Sequence, residues 1–185
     1  ADGGDDFFLD ESYIFFSNDY GKVNFGRTYG APYILQVVAP AADSNIDGRL
    51  QLINPINMAA GGLTGALASA SYETDYDHDV SAKVDKLSYI SPKLSGVQLG
   101  VSYTPDASGT SRGATGNSSD NDPADRSQIL EAAARYENKV SDTFDYAVGA
   151  GYSKAQAETS ALNDREAWNV GVDFNIGKFG VGAAY

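Results

Sequence analysis

The chain has 185 residues, a formal net charge of −12 and no cysteine, and it holds no apolar run of about eighteen residues, so disulfide frameworks, thiolate metal centres and helical membrane spans are excluded. Its 13 Lys and Arg against 25 Asp and Glu supply no basic patch for a phosphate backbone, which argues against a nucleic-acid partner and makes cations the expected company. Gly 20, Tyr 12 and Phe 8 beside one Met and one Trp favour turns and strands over helices, and an all-β fold is expected.

The opening ADGGDDFF lacks the charged and apolar regions of a secretion signal, so a processed chain or an internal piece of a longer one is expected. The first two strands are predicted over 9–18 and 21–28; Tyr13 to Phe16 is apolar on both sides, which leaves its facing open and points to protein contact there. A connection of unusual length, 29–82, follows. Further strands are predicted over 84–91, 97–104, 130–136, 143–153, 168–176 and 178–185, where Val97, Leu99, Val101 and Tyr103 alternate with Gln98, Gly100, Ser102 and Thr104, and Trp168, Val170, Val172, Phe174 and Ile176 alternate with Asn169, Gly171, Asp173 and Asn175. Short connections (DYG, SPKLS, ENKVSD, GK) alternate with long ones (29–82, 105–127, 154–164), the pattern of an up-and-down meander.

The face opposite the apolar one separates two architectures. A soluble sandwich turns that face to water and fills it with Lys, Glu, Arg and Thr, whereas here it holds Gly, Ala and Ser. A transmembrane barrel turns its apolar face to lipid, keeps small or polar residues inside, and gathers aromatics at strand ends, where Tyr103, Tyr136, Tyr152, Trp168 and Tyr185 stand. The sparse face is therefore expected to border water in a bore, and the sheet to close, because an open edge in hydrocarbon strands its N–H and C=O groups. A soluble carbohydrate-binding sandwich is the water-soluble alternative.

Other features read blandly. DYDHD at 75–79 fails as an EF-hand, since Val80 stands where Gly is needed and Lys86 where the bidentate Glu belongs; a solvated acidic loop is expected, with calcium on Asp75, Asp77 and Asp79 as the alternative. His78 is the lone His and is expected to be a loop residue without a role, which leaves no Ser–His–Asp arrangement and no expected enzyme activity. GAGYS and GVGAA lack the P-loop Lys and read as strand glycines. Residues 107–125 read as a flexible external loop, and 57–73 could hold a short helix.

VDKLSYISPKLSGVQLGVSY (84–103), VNFGRTYG (23–30) and DTFDYAVGAGY (142–152) together resemble the general diffusion porins of the Gram-negative outer membrane, in family order. The resemblance implies an antiparallel 16-stranded transmembrane β-barrel, of which this chain carries about eight strands, assembled as a homotrimer among lipid and lipopolysaccharide. It implies that 29–82 is the loop folded into the lumen, with acidic groups facing basic ones across an eyelet: Asp43, Asp47, Glu73 and Asp75 against Arg27, Arg49 and Lys86. Lys86 shares parity with Ser88; Arg27 shares it with Val23 and Phe25 and reaches the lumen only if its strand has ended. The implied function is passive diffusion of ions and small hydrophilic solutes, weakly cation-selective and without a cofactor. The alternative is a complete eight-stranded barrel serving as an adhesin or structural anchor.

Overall fold

The computed structural model describes residues 11–38, 78–107, 126–159 and 162–185. Their strands are β1 (Ser12–Asn18), β2 (Gly21–Thr28), β3 (Val84–Ile90), β4 (Val97–Asp106), β5 (Arg126–Ser141), β6 (Phe144–Ala157), β7 (Arg165–Ile176) and β8 (Phe179–Ala184), with one five-residue helix, α1 (Ala31–Leu35), between β2 and β3. They form one 8-stranded antiparallel sheet in chain order, with β1 and β8 at its open edges. All eight anticipated strands are present. β5 and β6 run past the limits set by alternation, because their ladders continue into polar ends such as Asn138↔Tyr146 and Arg126↔Ala157, and apolar alternation marks only the stretch that meets an apolar medium.

The short connections are tight. Ser95 (φ 51) and Gly96 (φ 88) occupy the centre of a two-residue turn closed by the Leu94↔Val97 bridge, and positive φ at both central positions is the hairpin geometry whose twist matches that of strands.

The sheet is apolar outward. Val101 and Trp168 are 53% and 57% exposed, whereas Ser88, Ser102, Thr104, Ser153 and Asn169 on the reverse face are buried. Register decides the ambiguous YIFF stretch: Ile14 and Phe16 oppose Phe25 and Val23 on the outer side, so Tyr13 and Phe15 turn inward, where the Lys22 ammonium lies 4.5 Å from the Phe15 ring centre. Outer aromatics gather at both ends of the apolar band: Tyr136, Tyr146 and Phe174 touch at centroid distances of 5.9 and 6.3 Å near the short turns, and Trp168 lies 5.0 Å from Tyr185 near the long connections. At about 3.4 Å per residue, Phe144 to Tyr152 spans ~27 Å of strand, or ~20 Å of thickness at a ~40° tilt, close to the ~25 Å apolar band of membrane barrels.

Candidate functional site

The sparse inner face is not left to water throughout. After β2 the chain turns inward and lays a strap, residues 30–38, across it. Pro32 lies in the first turn of α1, Ala31 N donates to Ser102 Oγ (3.0 Å), and Leu35 packs with Ala31, Ile90 and Ala133. The wall residues beneath have no room for side chains. A Cβ on Gly100 would come within 2.8–3.0 Å of Ile90, Leu35 and Ala31, one on Gly149 or Gly171 would strike Val37, and one on Gly151 would strike Pro32 and Asn169. The expectation that these glycines simply border water is corrected here: protein fills their space.

The far end of the same connection returns beside the strap and is stitched to it. His78 N donates to Gln36 Oε1 (3.1 Å), and Arg135 on β5 donates from Nη1 to Gln36 O (3.0 Å). Beneath both limbs lies Glu131 of β5, 4% exposed. Its Oε2 accepts from Ser81 Oγ (2.9 Å) and Ser102 Oγ (2.7 Å), and its Oε1 from Ser153 Oγ (3.1 Å). A buried carboxylate is tolerable only when so satisfied. Gly30 lies directly against Glu131 Oε2, where any Cβ would collide.

Ser153 Oγ also lies 2.5 Å from His78 Nε2. Because the single hydroxyl proton goes to Glu131, the imidazole must carry its proton on Nε2 and donate to Ser153. Burial pushes His78 below its ordinary value of 6.5; Glu131 and Asp79 oppose that shift and Arg165 adds to it. The role-free loop histidine of the sequence reading is thus corrected: His78 is 4% exposed and joins both limbs to the wall. Ser153, His78 and Glu131 are brought together, yet the acid contacts the serine rather than the second imidazole nitrogen, and Ser153 is fully buried. The arrangement ties chain segments together and does not activate a nucleophile.

Lys86 has the inner parity foreseen for it, but it is 2% exposed, and its ammonium donates to Thr28 O, to Ala82 O (2.5 Å) and to Ser81 O (3.5 Å). It clasps the two ends of the connection. Lys83 adds a second clasp, 4.6 Å from the Tyr29 ring, which stacks on Tyr33 at 3.6 Å. Arg27 lies in register with Asp85 and Ser12, on the parity opposite Lys86, so the two are not brought together on one face. Asp43, Asp47, Arg49, Glu73 and Asp75 lie outside the described residues, as does Asp77; Asp79 borders His78, and among the described residues no group of three or more His, Cys, Asp and Glu could hold a metal ion.

Sequence reasoning missed Glu131 although a signal existed. It is the acid among small residues at inner-parity positions, aligned in register with Ser102 and Ser153. It also missed the inner surface toward the short turns, a cavity of about 450 Å³ lined by Lys93, Arg135, Glu137, Lys139, Asp145 and Asp173. Glu137 engages Lys93 and Arg135 Nε (2.5 Å), and Lys139 reaches Asp142 (2.9 Å). The amide of Asn175 donates to Asp145 (3.0 Å) and Asp173 (3.2 Å).

An antiparallel meander with its apolar side outward, its polar side inward and a connection folded across that inner side defines the wall of a transmembrane β-barrel. The model of the Gram-negative porin family matches residues 1–185, the whole chain, and the chain belongs to that family, one of outer-membrane channels. It is similar to uncharacterized proteins of three Rickettsia species: Rickettsia felis, 29% identical over 175 residues that cover 88% of this chain and 37% of the relative; Rickettsia conorii, 25% over 228 aligned residues, covering 94% and 52%; and Rickettsia prowazekii, 30% over 109 residues, covering 54% and 25%. The chain thus spans about half or less of these relatives.

Proposed function

We propose that the protein is a passive diffusion channel for ions and small hydrophilic solutes across the outer membrane, weakly cation-selective and assembled as a homotrimer. The observation that carries this reading is the inversion of the two faces: hydrocarbon-loving side chains point away from the bore, and polar groups line the side on which the chain folds back. Eight strands in a chain that spans 52% of the Rickettsia conorii relative fit a barrel of about sixteen, which is wide enough for an aqueous lumen. The open order β1 to β8 weighs against a small eight-stranded barrel acting as an anchor or adhesin.

Cation preference is supported by the net charge of −12. Acidic linings favour cations, and in an aqueous pore the effect is modest. The eyelet acids Asp43, Asp47, Glu73 and Asp75 remain part of the proposal, with calcium at Asp75, Asp77 and Asp79 as a secondary one. The test is reconstitution of the full-length protein in planar bilayers. Stepwise conductance, with a reversal potential in a KCl gradient of the sign for cations, is expected; absence of conductance removes the channel, and an anion-signed potential removes the selectivity.

A further inference from the structure

Resting on the channel reading, we propose that the cavity of about 450 Å³ toward the short turns is a binding subsite for short zwitterionic peptides, with the terminal carboxylate on its β5 flank and the terminal ammonium on its β6–β7 flank. It lies between the strap and the short turns and uses none of the residues assigned to the eyelet. Its charges are sorted. Lys93, Arg135 and Lys139, with Glu137 among them, come from the β3–β4 turn and from β5, whereas Asp145 and Asp173 come from β6 and β7. Register fixes this sorting, because Asp145 opposes Lys139 on one side and Asn175 on the other, and Asp173 opposes Ala147. An excess of positive charge on one flank therefore faces two carboxylates on the other.

Neither flank is saturated by protein. Arg135 spends Nε on Glu137 and Nη1 on Gln36 O, out of the five N–H donors that a guanidinium carries. Lys93 and Lys139 each hold one acid with an ammonium that has three donors, and their side chains stay 49% and 65% exposed. On the other flank a single neutral nitrogen, Asn175 Nδ2, serves one oxygen of each acid, and Oδ1 of Asp173 has no partner among the described residues. Two carboxylates that share one neutral donor repel each other, and a bound ammonium relieves that repulsion. Span selects the ligand. At a strand spacing of ~4.8 Å, the gap between flanks runs from ~5 Å between β5 and β6 to ~10 Å between β5 and β7. The two charges of a free α-amino acid lie only ~3 Å apart, and each further residue adds up to ~3.5 Å, which brings a di- or tripeptide to the required length. The volume agrees, since small-molecule sites run about 300–1,000 Å³. A solute with one sign of charge satisfies one flank and is repelled by the other.

The experiment adds dialanine to the full-length protein in planar bilayers, from each side in turn and in about 0.1 M KCl, and reads interruptions of the open-channel current. In the native chain dialanine interrupts the current at concentrations about tenfold lower than N-acetyl-dialanine, which lacks the ammonium, or dialanine amide, which lacks the terminal carboxylate. Asp145→Asn combined with Asp173→Asn reduces dialanine to the level of N-acetyl-dialanine. Lys139→Gln, at an exposed position, weakens dialanine about two- to fivefold and leaves dialanine amide unchanged. The comparison among the three solutes uses the native chain alone, so it decides even where the double variant fails to fold. Native channels that conduct but treat the three solutes alike, or a preference for dialanine that is undiminished in either variant, overturn the subsite while leaving the channel reading intact. Native protein that forms no channel overturns both.

Discussion

A carboxylate that accepts from three serine hydroxyls beneath a buried imidazole is costly to disturb in a specific way. Glu131→Ala removes the acceptor and leaves its donors unpaired, and breaking a buried charged network in this manner costs about 3–5 kcal/mol; the expected outcome is a lower unfolding midpoint in detergent, read by heat-modified gel mobility. Lys86→Met is expected to cost about 1.5–3 kcal/mol per charge-assisted bond lost and to leave the reversal potential nearly unchanged, because the ammonium faces carbonyls and not permeant ions. A large shift in that potential on Lys86→Met would place the ammonium within reach of permeant ions. Parity in the sequence assigned Lys86 its face correctly. What it touches there was not legible, since its partners are backbone carbonyls of residues 28, 81 and 82, and carbonyl groups leave no mark in side-chain identity.

The strands were legible because their two faces meet two media and the period of two writes that difference into the residue order. The helix APYIL was not, since five residues complete little more than one turn and set no periodicity. The glycines of β4, β6 and β7 were visible but misread, because an empty position looks the same in sequence whether water or protein occupies it. Their packing makes a prediction at this scale. Gly171→Ala places a methyl group on Val37 O, so the strap must shift, with an overpacking cost of about 1–3 kcal/mol; faster proteolysis near residues 36–38 is expected, with the sheet itself retained. On the outer face Val148→Lys, near mid-band, is expected to destabilise by about 2–4 kcal/mol, whereas Asn175→Lys on the inner side leaves refolding intact. Equal damage from both would mean that the two faces do not meet different media, and damage from Asn175→Lys alone would mean that they are assigned the wrong way round.

At the scale of the whole molecule, the eight described strands supply a wall with paired interior strands and two open edges, and family membership supplies the context in which such edges are satisfied. The selectivity of the bore belongs to this scale, because it sums over every charge a solute passes. Asp145→Asn combined with Asp173→Asn is expected to lower cation preference in the KCl gradient without changing thermal stability by more than the loss of one shared amide contact. No change would move the deciding charges to the connection between β2 and β3.

The bond from His78 N to Gln36 Oε1 joins residues 42 apart in the chain and closes a ring at its neck. Once a neck is fastened, the entropy of what it encircles grows only with the logarithm of its length, about 0.6 kcal/mol per doubling. The barrel is in this respect a socket. Segments of quite different length and charge could be spliced between the two fastened limbs with little change in the cost of closing that neck.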